Sequence, residues 1–245
     1  MERLAIFAAL RWECRPILGR LRQVRRMRVD GLTLWCGETA TQEVWLTKTG
    51  MGMQRAQQAA DSLRRHGAFD LFVSTGCAGA LCADLKPGDV AVASTIIRAG
   101  TEVGFATDAT TVRRMRTAAE RAALHAVVGP VLCGSTVLTT AAAKRAAAAG
   151  GAVAVEMEGA AIAACAAQNG IPFASVRAIL DTADTELVDA GRFVQPQTGG
   201  VRPLALAAYL ATHPGALPRL LALQRMANAA QTSLENFFAQ FLSMQ

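Results

Sequence analysis

Residues 152–184 read AVAVEMEGAAIAACAAQNGIPFASVRAILDTAD, and the fold is decided here. Residues 152–155 are apolar and suit a short buried strand. Residues 157–168 suit a helix, with Ala160, Ala161, Ala163, Ala164, Ala166 and Ala167 supplying propensity and close packing. Asn169-Gly170 is a stop, and Pro172 prevents continuation. Residues 173–180 suit a second strand with Asp181 at its carboxyl end. In an open α/β sheet ligands gather at the carboxyl ends of strands. The strand–helix–strand reading therefore puts Glu156, Glu158 and Asp181 on one edge of the sheet. A carboxylate among apolar side chains must find a partner or take up a proton, and an enzyme can use either.

Upstream, residues 4–10 read as an apolar and hence central strand. Arg11-Trp12-Glu13-Cys14-Arg15 turns into a helix that tolerates Pro16 early, which sets Glu13 just past a strand end. Residues 32–36 and 44–49 read as a hairpin pair. Thr49-Gly50-Met51-Gly52-Met53 then leads into a helix at 56–66, a place where backbone amides approach an anion or a sugar. Residues 71–75 form the next strand, opening into the loop Gly76-Cys77-Ala78-Gly79-Ala80-Leu81. A turn at Lys86-Pro87-Gly88-Asp89 precedes a strand at 90–93. Residues 131–138 read as strand then loop, and 139–149 as an alanine-rich helix.

The last part, residues 186–245, reads as a loop and a helical extension of a single domain covering 1–245. The loop at 187–203 contains Gly191, Pro196, Gly199 and Gly200, and helices are expected at 204–212 and 217–242. The second helix carries Leu220, Leu221, Leu223, Met226, Ala230, Leu234, Phe237, Phe238, Phe241 and Leu242. Such a stripe packs into a core; the alternative is an apolar flap over a substrate or a membrane contact.

The chain has 245 residues, 52% hydrophobic and 18% charged, which suits one α/β domain with a sizeable core. Aromatics are 5%, so Ala, Leu and Val must fill it. The net charge is +6, and Arg11, Arg15, Arg20, Arg22, Arg25, Arg26 and Arg28 crowd one region. They fit a solvated helix face or a membrane-surface contact. No recognition motif for nucleic acid accompanies them. The six cysteines form no CxxC pair and His66, His125 and His213 are scattered, so no metal site is expected. Reduced thiols, a first apolar run too short for a signal peptide and no spanning segment lead to an expected cytoplasmic protein, with contact at the inner face of the membrane as the variant.

VEMEGAAIA followed by RAILDTAD resembles the motif pair of the purine nucleoside phosphorylase and methylthioadenosine/S-adenosylhomocysteine nucleosidase superfamily. The resemblance implies a three-layer α/β fold, a mixed central β-sheet flanked by helices. It implies cleavage of the N-glycosidic bond of a purine nucleoside without a cofactor. Asp181 would be the acid on the base, Glu158 the ligand of the ribose hydroxyls, and Met157 a packing partner of the sugar. Glu13 falls on the glutamate that activates water in the nucleosidases; read from the residues alone it is equally a helix N-terminal carboxylate. TGMGM resembles the loop over the ribose, which assigns Gly50, Met51 and Gly52 to substrate. TGCAGAL resembles the loop that in phosphorylases meets phosphate, which assigns Gly76, Cys77 and Ala78. A thiol stands where that loop has a serine, and Ser74 where it often has an arginine. GSTVL occupies the adenine-holding position, with Val137 in place of an aromatic ring and Leu138 beside it.

ALRWE, TGMGM, TGCAGAL and the long tail are most similar to the hopanoid-associated phosphorylase group. That resemblance implies release of adenine from adenosylhopane, a lipid nucleoside, by a homodimer; the peripheral membrane contact rests on the arginines and the apolar tail. Water and inorganic phosphate both stand as nucleophiles. The other readings are a methylthioadenosine-type nucleosidase and a non-catalytic nucleoside- or lipid-binding protein.

Overall fold

The first strand, β1 (Glu2–Ala8), sends Leu4, Ile6 and Ala8 to one face and Ala5 and Phe7 to the other. That period-two split, with both faces apolar, is what a central strand requires. The computed structural model describes residues 1–188, 190–195 and 200–244. After β1 come α1 (Arg11–Leu18), β2 (Arg22–Val29), β3 (Leu32–Glu38), β4 (Gln42–Lys48), α2 (Met53–His66) and β5 (Leu71–Ala80). Then follow β6 (Val90–Arg98), β7 (Gly104–Ala106), α3 (Ala109–Arg121), β8 (Ala126–Cys133) and α4 (Ala141–Ala148). The chain continues through β9 (Ala154–Glu156), α5 (Gly159–Gln168), β10 (Phe173–Asp181), α6 (Pro203–Thr212) and α7 (Leu217–Phe241).

Helices cover both faces of one mixed sheet. Ala56, Ala59, Ala60 and Leu63 of α2 and Ala160, Ile162, Ala163 and Ala166 of α5 bury one face. Cys14 and Ile17 of α1, Met115 and Ala118 of α3, and Leu234, Phe237, Phe238 and Phe241 of α7 bury the other. The aromatic end of α7 thus lies in the core, where Phe237 stacks on Phe241 and meets Phe238 edge-on. Its first half and α6 are more exposed; α6 has no buried residue. Pro196 and Gly199 lie outside the described residues. Among those described, no helix is long and apolar enough to cross a membrane.

The sheet is not the open one expected from residues 152–184. β5 pairs parallel with β10, β10 antiparallel with β6, β6 parallel with β8, β8 parallel with β9, and β9 antiparallel with β5. Those five strands close on themselves, and β1, β4, β3 and β2 extend the sheet from β5. β9 and β10 therefore run oppositely, and the unit is not a parallel strand–helix–strand. The acidic residues meet because both strands register on one glycine: Gly79 lies opposite Val155 of β9 and Asp181 of β10.

Other boundaries shift as well. The segment Gly76–Ala80, expected as a loop, continues β5 and carries that pairing. Residues 131–133 end a strand that begins at Ala126. Met157 precedes its helix, and Glu158 is the N-cap. Arg22, Arg25, Arg26 and Arg28 lie on β2, an exposed edge strand, rather than on a helix face. Charged side chains on an edge discourage pairing with another chain.

Removing one ring from the buried α7 cluster tests its place in the core. Phe238→Ala is expected to lower the unfolding free energy by about 3–5 kcal/mol, read by urea denaturation. A loss under about 1 kcal/mol would mean that the Phe238 ring is not packed in the core.

Candidate active site

A cavity of about 180 Å³ opens where β5, β9 and β10 converge. Its acidic lining is Glu13, Glu156, Glu158 and Asp181, with Lys144 among them. Its apolar wall includes Trp12, Met51, Val137, Leu138, Met157, Leu180 and Leu187. Of the residues singled out from sequence, Glu13, Met51, Cys77, Ala78, Val137, Leu138, Met157, Glu158 and Asp181 line it. Gly50, Gly52 and Gly76 do not; they act one layer back, through the backbone.

Glu156 sits at the end of β9 and builds the floor. Its carboxylate accepts from the Glu158 and Gly159 amides at 2.9 and 2.7 Å. That satisfies orphan N–H groups at the start of α5, where negative charge is favoured. A Cβ at Gly159 would meet Glu156 Oε1 at 2.9 Å, so a glycine is needed there. Arg177 of β10 donates to Glu156 Oε2 and to Ser74 Oγ, each at 2.5 Å, and both charged side chains are buried. Burial alone would lower the Arg177 pKa, but Glu156, Glu158 and Glu13 outweigh it and hold the guanidinium charged.

Glu158 leaves the N-cap position of α5 toward the cavity. Its Oε1 accepts from the Gly52 amide at 2.7 Å, so the TGMG loop spends that amide on a protein carboxylate. Burial first, and then the neighbouring Glu156, push its pKa up to about 7. Glu13 combines two readings that the sequence left open. It caps its own helix through the Leu10 amide at 2.8 Å, and it reaches β5, accepting from the Cys77 amide at 3.0 Å. Gly76 has φ +141°, and a Cβ there would meet Glu13 Oε1 at 2.8 Å, so only glycine lets the carboxylate in. Burial raises the Glu13 pKa against the pull of these amides and of Arg177.

The loop expected to cradle an anion is thus already filled by Glu13. Cys77 adds nothing for an anion: burial, then Glu13, push its thiol pKa well up, and a neutral thiol is a weak donor. Ser74 is buried behind the strand and committed to Arg177.

Asp181 was expected in apolar surroundings. Burial does raise its pKa, but Lys144 of α4 opposes this through a hydrogen bond and its charge. Lys144 is 1% exposed and also donates to the Thr182 and Thr185 carbonyls at 2.8 and 2.9 Å. The sequence reading passed over Lys144, Arg177 and Trp12. A lysine inside the alanine run 141–149 was the available signal for the first, and an arginine inside an apolar strand for the second.

Glu158 has a folded pKa raised from 4.5 to about 7, so its contribution to stability is present below the unfolded value and is lost as pH rises toward 7. Glu158→Gln is therefore expected to melt above wild type at pH 8, with the gap closing toward pH 5, in thermal scans. A constant gap across that range would contradict the assignment of the strain to this carboxylate. Arg177→Met should cost about 3–5 kcal/mol in urea denaturation, because it strands the buried Glu156 charge.

Comparison with known proteins identifies the family and the fold. The model of the phosphorylase superfamily matches residues 3–197. A methylthioadenosine/S-adenosylhomocysteine nucleosidase from Neisseria meningitidis, solved with methylthio-immucillin-A, superimposes with a TM-score of 0.77 at 21% identity, covering 98% of each chain. An S-adenosylhomocysteine nucleosidase from Streptococcus pyogenes, solved with 5-methylthiotubericidin, gives 0.70 at 25% identity over 96% of this chain and 97% of that one. A nucleosidase of the same kind from Colwellia psychrerythraea, in complex with adenine, gives 0.76 at 22% identity, over 98% and 96%. The chain belongs to the phosphorylase superfamily and is an enzyme.

Proposed function

We propose that the protein hydrolyses the N-glycosidic bond of a purine nucleoside and releases adenine. The observation that carries this reading is the gathering of Asp181, Glu158 and Glu13 around one small, largely apolar cavity. Asp181, when protonated, gives its proton to N7 of the base as the bond between N9 and C1′ breaks and its electron pair passes to the base. Glu158 accepts from the ribose 2′ and 3′ hydroxyls and stabilises the cationic sugar. Met157 packs on the sugar, and Val137 and Leu138 hold the base. Glu13 takes a proton from water as the oxygen bonds to C1′. Water is favoured over phosphate because the Gly52 and Cys77 amides already serve carboxylates. A phosphate in that place would face Glu13.

The substrate class that fits is a nucleoside with a large apolar 5′ group, adenosylhopane by the resemblance noted from sequence. The apolar lining and the exposed α6, with Leu204 at its surface, support it. The same helix supports a site of action at the inner face of the membrane. A groove of about 840 Å³ adjoins the cavity, shares Met51 with it, and is lined by Gln54, Arg55, Phe105, Ala160 and Ala164. A second copy of the chain seated there would complete the site, so a homodimer is proposed; a monomer mass in light scattering would count against it.

Adenine release from adenosylhopane and from methylthioadenosine, each with and without phosphate, tests the reading. The expected result is phosphate-independent release, faster from the lipid nucleoside, with free sugar as the second product by mass spectrometry. Asp181→Asn is expected to lower kcat by about 10²–10⁴-fold. A ribosyl phosphate product would overturn the hydrolytic step, and release from methylthioadenosine alone would overturn the lipid substrate.

A further inference from the structure

The acid of the proposed reaction does not stand alone. Lys144 Nζ carries three hydrogens when charged, and three oxygens surround it: Asp181 Oδ2 and the carbonyls of Thr182 and Thr185. An ammonium gives each of the three acceptors one hydrogen, whereas a neutral amine would keep all three contacts only if Asp181 Oδ2 carried a proton and donated it to the amine. The ammonium has no lone pair and can only donate. Opposite the ammonium, Asp181 Oδ2 is held as an acceptor and has no room for a proton of its own. Among the described residues Oδ1 accepts no hydrogen bond, although Asp181 lines the cavity. Gly79 backs the carboxyl group: a Cβ there would lie 3.3 Å from Oδ2 and 3.4 Å from Oδ1.

We infer that Lys144 is the positioning residue that makes Asp181 a directed acid, by occupying Oδ2 and leaving Oδ1 as the oxygen from which a proton passes to the base. The inference rests on the hydrolytic reading above. Lys144 is itself anchored for this task. Thr140 caps α4 through the Ala143 amide at 3.2 Å, Glu186 accepts from the Ala141 amide at 3.3 Å, and the Leu187 amide donates to the Thr139 carbonyl at 2.8 Å. The helix that carries the lysine is thereby stitched to the loop that follows the acid, and Leu187 of that loop lines the cavity.

The pair also sets the pH at which the acid is lost. The charged and titratable groups around Asp181 are Lys144 from α4, Cys77 from β5, Glu156 and Glu158 at the end of β9, and Glu13 of α1 across the cavity. Arg177, on Asp181's own strand, is committed to Glu156, and Asp184 pairs with Arg145 at the surface. Of these, Lys144 is the cation in contact with Asp181. It favours the ionised carboxylate, so without it the carboxyl keeps its proton to higher pH.

Lys144→Met is the test, read by kcat, KM and the pH profile of base release. The expected result is a fall in kcat of about 100-fold or more with KM little changed. The alkaline limb of the profile should move to higher pH, and Lys144→Met should add almost nothing in an Asp181→Asn background. Lys144→Arg, which keeps a cation, should retain the wild-type limb. An unmoved limb, or equal losses in both backgrounds, would overturn the proposal and leave Lys144 a structural residue. If Lys144→Met does not fold, Lys144→Gln carries the same comparison. Carbon-13 titration of the Asp181 carboxyl, assigned with Asp181→Asn, reads the pair without turnover. A midpoint that rises in the Lys144 variant supports the inference, and equal midpoints overturn it. Should wild type release no base from any nucleoside, the hydrolytic reading fails while the titration still decides on Lys144.

Discussion

The ion pair between Glu156 and Arg177 is the constraint from which the rest of the site follows. Both side chains are buried, and neither charge could stay there alone. The pair fixes β9 against β10 although the two strands run oppositely and lie on either side of β5. Through Ser74 it reaches into β5 itself. The remaining capacity of Glu156 goes to the first amides of α5, which sets the direction in which Glu158 leaves the backbone. One carboxylate thus closes the ring of strands, starts a helix and aims its neighbour.

Around that centre the site keeps three acidic groups in place by giving each a different partner. Glu13 is held by backbone amides, Glu158 by one amide, and Asp181 by the Lys144 side chain. Burial raises all three, and the partners decide how far. The contrast would let similar side chains take the unlike roles proposed for them, since an acid must hold a proton that a base must lack.

Much of this was legible in the sequence, and the reasons for the rest are physical. The elements around 152–184, the two acidic motifs and the terminal helices were readable because periodicity, Asn169-Gly170 and Pro172 are local signals. Strand direction was not: the antiparallel course of β9 is set by its registration on Gly79, a long-range contact that no local pattern carries. β2 went unread because its arginines hide the alternation that marks a strand, with Met27 and Val29 its less exposed positions. Lys144 was missed for a related reason. On a helix rich in alanine it reads as a solubilising charge, and its burial depends on the loop after β10 arriving beside it.

The row of arginines on β2 has a bearing on assembly. An outermost strand offers free amides and carbonyls along one side, and two copies could extend the sheet by aligning them. Here that alignment would bring Arg22, Arg25, Arg26 and Arg28 of one molecule against the same row of another, with no acidic strand between. The repulsion disfavours that edge-to-edge pairing, weakly in high salt and strongly in dilute buffer. Growth of the sheet is disfavoured at this end, which leaves the groove beside Met51 as the place for the dimer contact proposed above.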